Sequence, residues 1–144
     1  MGLKLFDSQL VFLDTAPLIY FIEGNSEYDK KLIPVFKANE EGKFQFVTSA
    51  LTFTEVLIQP IKLKRNDLVE QYTETLTSYS GIEIVEMNIQ VALRAAHLRV
   101  KYNLRTPDAI QVATALERSA NIFLTNDRKL KTVKEIEVFT LSDL

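Results

Sequence analysis

Short apolar runs alternate along the whole chain with longer stretches whose apolar positions recur at helical spacing. Residues 9–14 (QLVFLD) contain an unbroken apolar run from Leu10 to Leu13 between polar neighbours, the pattern of a strand covered on both faces. A helix over about 15–23 follows. Residues 28–41 read as a second helix, ended by Gly42 and kinked at Pro34, and FQFVTS at 44–49 reads as a strand. The pattern then predicts a helical stretch over 50–79, broken near Pro60. IEIVEM at 82–87 alternates as a strand does, 88–102 is helical, and Thr106 with Pro107 opens a helix running to about 119. NIFLT at 121–125 and IEVFT at 136–140 supply the last two strands. Strands separated by helices need crossover connections, which predicts the α/β class with a mostly parallel central sheet of about five strands flanked by helices.

Composition narrows the chemistry. With 144 residues, 47% hydrophobic and 25% charged, the chain reads as one globular domain over 1–144 that buries a core without metal or disulfide staples. Gly24, Gly42 and Gly81 fall between periodic segments, and no linker or repeat divides the sequence. There is no cysteine and one histidine, His97, so thiolate zinc sites, cysteine nucleophiles and paired-imidazole ribonuclease chemistry are excluded within one chain. The apolar run Leu18 to Ile22 is far shorter than the roughly 20 residues a bilayer crossing needs. No membrane association and a cytoplasmic location are therefore expected.

The residues closing each strand come next, because open α/β sheets bind ligands beyond the carboxyl ends of their strands. Asp14 closes the first strand and Asp127 follows the fourth. Either alone also reads as a helix N-cap. Asp108 lies in the first turn of the Thr106 helix, where the helix dipole favours a carboxylate. Glu55 sits inside the apolar run ALTFTEVLI, where it is either a costly buried acid or a solvent-facing residue. Four carboxylates at one sheet edge cannot all stay ionised without cations, and with no His or Cys nearby the donors suit hard divalent ions, Mg2+ or Mn2+. One or two such ions lower the pKa of a bound water and stabilise the leaving oxygen of a phosphodiester.

DTAPLIYFIE, TSALTFTEVL, TPDAIQVATAL and TND, in this order and on this strand–helix alternation, resemble the acidic motifs of PIN-domain nucleases, especially VapC-type toxins of bacterial toxin–antitoxin pairs. The resemblance covers nearly the whole chain. It implies a PIN-like three-layer fold and a Mg2+- or Mn2+-dependent endoribonuclease. Asp14, Glu55, Asp108 and Asp127 would form the catalytic and metal-holding quartet, with Thr15, Thr125 and Asn126 as polar supports. One departure is Leu130, which stands where many members have an aromatic residue.

The formal net charge of −2 argues against a nucleic-acid binder until two divalent ions are counted, which moves it to about +2. Arg105, just before TPDA, is the candidate for touching substrate phosphate. Lys62, Lys64 and Arg65 form one basic cluster and Arg128, Lys129 and Lys131 another, both of which also read as solvated surface. His97 shares a helical face with Arg94 and Lys101, a solvated face without catalytic part. The helix after Asp14 carries Leu18, Ile19, Phe21 and Ile22 around its circumference, which predicts an uncovered apolar groove unless the second helix covers it. The resemblance implies what fills it, a small antitoxin protein, and a homodimer as the inhibited unit. Phosphoaspartyl chemistry does not fit, since Ala16 occupies the position of the second aspartate and Asp7 is isolated. A housekeeping RNA-processing nuclease and a catalytically silent PIN-like binding module remain as alternatives.

Overall fold

A computed structural model of the chain describes Lys4 and residues 6–144. Five strands form one sheet: β1 (Leu10–Leu13), β2 (Gln45–Ser49), β3 (Ile82–Val85), β4 (Ile122–Thr125) and β5 (Glu137–Thr140). They lie in the order β3-β2-β1-β4-β5, and every neighbouring pair is parallel. Parallel neighbours cannot be joined by a tight turn, so the first three connections each carry two helices. These are α1 (Thr15–Glu23) with α2 (Asp29–Glu40), α3 (Ala50–Lys62) with α4 (Asn66–Ser78), and α5 (Ile89–Tyr102) with α6 (Thr106–Glu117). A 3-10 turn over Arg128–Thr132 links β4 to β5. The α/β architecture read from the hydrophobic pattern is the one observed.

Alternation along the central strand builds two cores. Val11 and Leu13 of β1 point to one face, where they join Leu18, Phe36, Val56, Tyr72 and Leu124 under α1 to α4. Phe12 points to the other, where it joins Val91, Leu98, Val112 and Phe123 under α5 and α6. Phe12 and Phe123 are β-sheet neighbours whose rings stack at 4.9 Å, a contact that adds about 0.5–1.5 kcal/mol to the burial of each. Because both faces are covered, β1 and β4 are apolar throughout their length up to the terminal Thr125. Among the described residues no helix is long and apolar enough to cross a membrane.

Pro34 and Pro60 both lie inside helices. Pro34 lies exposed inside α2 without dividing it. Pro60 is buried near the end of α3, and the helix runs on past it to Lys62. The break falls at 63–65, where Arg65 N–H donates to Pro60 O and Lys64 N–H to Ile61 O, with Lys64 in the left-handed region at φ 55°. That pairing is a Schellman close, and Gly42 ends α2 the same way at φ 80°. Gly42 was legible as a stop because glycine adopts positive φ at little cost, whereas lysine gives no such signal.

From β1 the chain moves outward through β2 and β3, then returns across the sheet to lay β4 on the other side of β1. The direction of winding reverses between β1 and β4. Their carboxyl ends therefore border the crevice where open α/β sheets bind ligands.

Candidate functional site

Asp14 leaves the sheet at that reversal. Its N–H donates to the Leu124 carbonyl at 3.0 Å, which fixes the backbone beside β4. Its side chain caps α1: Oδ1 accepts from the Thr15 amide at 2.9 Å and from Gln111 Nε2 at 3.3 Å, while Oδ2 accepts from the Thr125 hydroxyl at 2.7 Å. Burial raises its pKa above the ordinary aspartate value; the bonds from Thr125, Thr15 and Gln111 offset part of that, and the nearby Asp108 carboxyl pushes it up further. Among the described residues no lysine or arginine forms an ion pair with Asp14. A half-buried acid is thus held in place by three donors, with no ion-pair partner among the described residues.

The other acids approach from separate elements. Glu55, half-buried on α3, accepts from the Thr15 hydroxyl at 2.6 Å, so Thr15 joins the Asp14 and Glu55 carboxyls through its amide and its side chain. Asp108 sits in the first turn of α6, and its Oδ2 lies 3.3 Å from Arg105 Nε. Asp127 follows β4 and caps the 3-10 turn by accepting from Lys129 N–H at 3.0 Å, while its own N–H donates to the Thr125 hydroxyl at 3.0 Å. Thr125 therefore bridges Asp14 and Asp127. Among the described residues no three His, Cys, Asp or Glu side chains gather closely enough to enclose an ion. The donors that do stand here are carboxylate and hydroxyl oxygens only, the set that suits a hard divalent cation.

Four buried polar residues that hold this arrangement went unnoticed in the sequence. Gln111 donates Nε2 to Thr52 Oγ1 at 2.7 Å as well as to Asp14, and its Oε1 accepts from the Ser49 hydroxyl. The Thr48 and Thr52 hydroxyls are bonded at 2.9 Å, and Thr48 donates to the Leu13 carbonyl at 2.7 Å. No buried polar side-chain atom among the described residues lacks a partner. The signal was present: Gln111, one turn after Asp108, and Thr114 are the polar residues among Ala109, Val112, Ala113 and Ala115, and all six are buried. A buried carboxamide needs several partners, so its position in an apolar run points to a network.

Two expected neighbours play other parts. Asn126 touches none of the four acids through its hydrogen bonds; its Nδ2 donates to the Tyr20 hydroxyl at 3.4 Å and ties the end of β4 to α1. Leu18 is fully buried in the core, so it does not line a groove. Ile19, Phe21 and Ile22 are half-buried, since α2 covers part of α1 and Phe21 stacks on Phe36 at 3.9 Å between ring centroids. A smaller hollow of about 240 Å³ remains, lined by Phe21 and Ile22 with Glu40, Gln71 and Tyr79.

The basic residues separate as well. Arg65 pairs with Asp67 at 2.9 Å and Lys131 with Asp143 at 2.7 Å, which leaves Lys62, Lys64 and Arg128 as exposed surface. Lys129 lines a cleft of about 490 Å³ together with Arg105, Asp108, Asp127 and Tyr102. His97 is exposed on α5 in a different hollow with Arg94, Lys101 and Glu135. Leu130, where an aromatic was expected by resemblance, is buried in the core beneath α5 and α6.

Residues 11–136 match the family model of the PIN domain. None of the curated proteins matches the chain in sequence. Among solved structures, a toxin–antitoxin complex from Klebsiella pneumoniae shares 26% identity over 93% of this chain and 99% of that one, with a TM-score of 0.68. VapBC2 from Rickettsia felis, bound to a DNA fragment from its promoter, shares 16% over 91% and 98%, with a TM-score of 0.71. The Mycobacterium tuberculosis toxin VapC20, which cleaves the sarcin–ricin loop, shares 11% over 78% and 86%, with a TM-score of 0.61.

Proposed function

We propose that this chain, which belongs to the PIN-domain family, is a VapC-type toxin that cleaves RNA as a Mg2+- or Mn2+-dependent endoribonuclease. The observation that carries the reading is Asp14, a half-buried acid with no ion-pair partner among the described residues, oriented by three hydrogen bonds at the point where the sheet reverses. Asp14, Glu55, Asp108 and Asp127 would hold the metal, which when bound activates water and stabilises charge on a phosphodiester. Thr125 and Gln111 fix the Asp14 carboxyl, and Thr15 fixes Glu55, so these two ligands are already oriented, while enclosing an ion requires the acids to draw closer together. Arg105 stands at the cleft beside Asp108 and meets the substrate's phosphate. The lone imidazole lies in another hollow, so no histidine base serves a ribose hydroxyl, and water is the nucleophile.

The neighbours in toxin–antitoxin complexes support a small antitoxin as partner, and the apolar hollow beside Phe21 and Ile22 is the surface proposed to receive it. A homodimer has its own support. Ile89, Leu93 and Val100 are 78%, 61% and 88% exposed along one side of α5, an apolar stripe that a second copy of the chain would cover. The test of the enzymatic reading is incubation of the purified protein with total RNA, followed by mapping of the new ends. Cleavage in Mg2+ or Mn2+, its loss in excess EDTA, and products with 3′-hydroxyl and 5′-phosphate ends are expected. Undiminished cleavage in EDTA, or 2′,3′-cyclic phosphate ends, overturns it.

A further inference from the structure

The cleft that holds Asp108 and Asp127 has a basic side. The loop between α5 and α6 contributes Tyr102, Asn103 and Arg105, and the 3-10 turn after β4 contributes Lys129 and Thr132. Seven cations are engaged in ion pairs among the described residues, including Lys101 with Glu135 at 3.0 Å and Lys131 with Asp143 at 2.7 Å. Lys129 is in none of them, although its backbone N–H is fixed on Asp127 at 3.0 Å. Arg105 gives only its Nε to Asp108, its side chain being 80% exposed. One cation thus rises from each of the two segments that border the cleft, directly beside the acids.

We propose that Lys129 and Arg105 form a phosphate clamp, gripping from both sides a single RNA strand that runs through this cleft past Asp108 and Asp127. The clamp rests on the ribonuclease reading and adds the path of the strand. Charge favours a single strand, since two cations on one cleft follow one phosphate backbone. Lys129 is then a substrate-binding residue. Arg128 and Lys131, its neighbours in sequence, lie outside the cleft lining.

The clamp is tested by fluorescence anisotropy with a short labelled single-stranded RNA in EDTA, titrated over a series of KCl concentrations. Each lost phosphate contact lowers the slope of log affinity against log salt by about 0.7 for a single strand. Lys129→Gln and Arg105→Gln are each expected to lower the slope by that amount and to weaken binding by up to about fivefold, the range of an exposed ion pair. Lys129→Arg restores both. Lys30→Gln, an exposed change on α2 remote from the cleft, leaves them unchanged. In Mg2+ cleavage assays Lys129→Gln raises KM more than it lowers kcat, as the loss of uniform binding does. The side-chain change leaves the backbone cap on Asp127 in place, so folding is preserved. If the parent binds RNA and Lys129→Gln keeps the parental slope, the clamp is wrong while the nuclease reading stands. If the parent binds no RNA, the clamp falls, and the nuclease reading is decided by cleavage in Mg2+ or Mn2+ against EDTA.

Discussion

Replacing Gln111 by leucine tests whether the polar network under the acids holds the site together. The substitution keeps roughly the side-chain volume, so packing changes little and the loss is that of the hydrogen bonds. Three bonds disappear: from the Ser49 hydroxyl, to the Thr52 hydroxyl and to Asp14 Oδ1. Ser49 retains its bond from the Thr52 amide and Thr52 its bond with Thr48, so each hydroxyl loses about 1 kcal/mol, the low end for a buried polar group losing a partner. The bond to Asp14 is long at 3.3 Å, and although it meets an acid it contributes about 1 kcal/mol more. The sum is about 3 kcal/mol, reduced to about 2–3 kcal/mol by the gain from burying an apolar side chain. For a chain of this size that is a fall in Tm of about 6–12 °C. Thermal melts followed by circular dichroism, with urea midpoints as a second measure, read it out. A Tm within about 2 °C of the parent would mean that the network is not structural, because three lost buried bonds cost more than that. Cleavage should fall as well, since Asp14 loses one of its three anchors.

Further outcomes follow from the same geometry. Asp14→Asn is expected to abolish turnover while leaving the metal-free protein at least as stable as the parent. Burial raises the folded pKa of Asp14 above the ordinary value of 3.8, so the folded chain binds the proton more tightly than the unfolded one, and Asp14's contribution to stability falls as pH rises from 3.8 through the folded value. The difference between parent and variant melts across that window isolates the effect, and a gap that does not widen with pH contradicts it. His97→Ala should leave the cleavage rate almost unchanged, because the imidazole is exposed in a hollow separate from the acids; a large loss in a folded variant would require a new mechanism. Leu93→Glu places a charge in the exposed stripe of α5, and sedimentation velocity is expected to find a dimer for the parent and a monomer for the variant.

Much of this architecture was written in the spacing of apolar residues. The runs at 10–13 and 122–125 are buried on both faces, and only strands inside a covered parallel sheet leave so plain a signature. Asp14, Asp108 and Asp127 were legible at strand and helix termini because carboxylates at those places either cap or bind, and Glu55 as an acid inside an apolar run. Their mutual support was not. That Thr125 reaches Asp14, or that Thr15 reaches Glu55, depends on strand order and on the crossing of α1 over α3, neither of which has a local sequence signal. The partners of Gln111 were hidden for the same reason: they come from the residue after β1, from β2 and from α3. Asn126 was misplaced because adjacency to two functional residues in sequence says nothing about the direction of a side chain leaving a strand.

The central position of β1 also sets an order in time. Thr125 reaches back across 111 positions to hold Asp14, and β4 pairs with a strand made when about nine-tenths of the chain was still to come. A contact of that span forms late, since long loops close only after their entropy is met by the pairing they permit. During synthesis, then, β1 has an open flank, and Asp14 lacks both its hydroxyl donor and the neighbouring Asp127. A chain interrupted before β4 carries two of the four acids in their motifs and a third on α6, yet has no edge at which to bring them together. Assembly of the acidic edge is in this sense withheld until the last sixth or so of the chain is made.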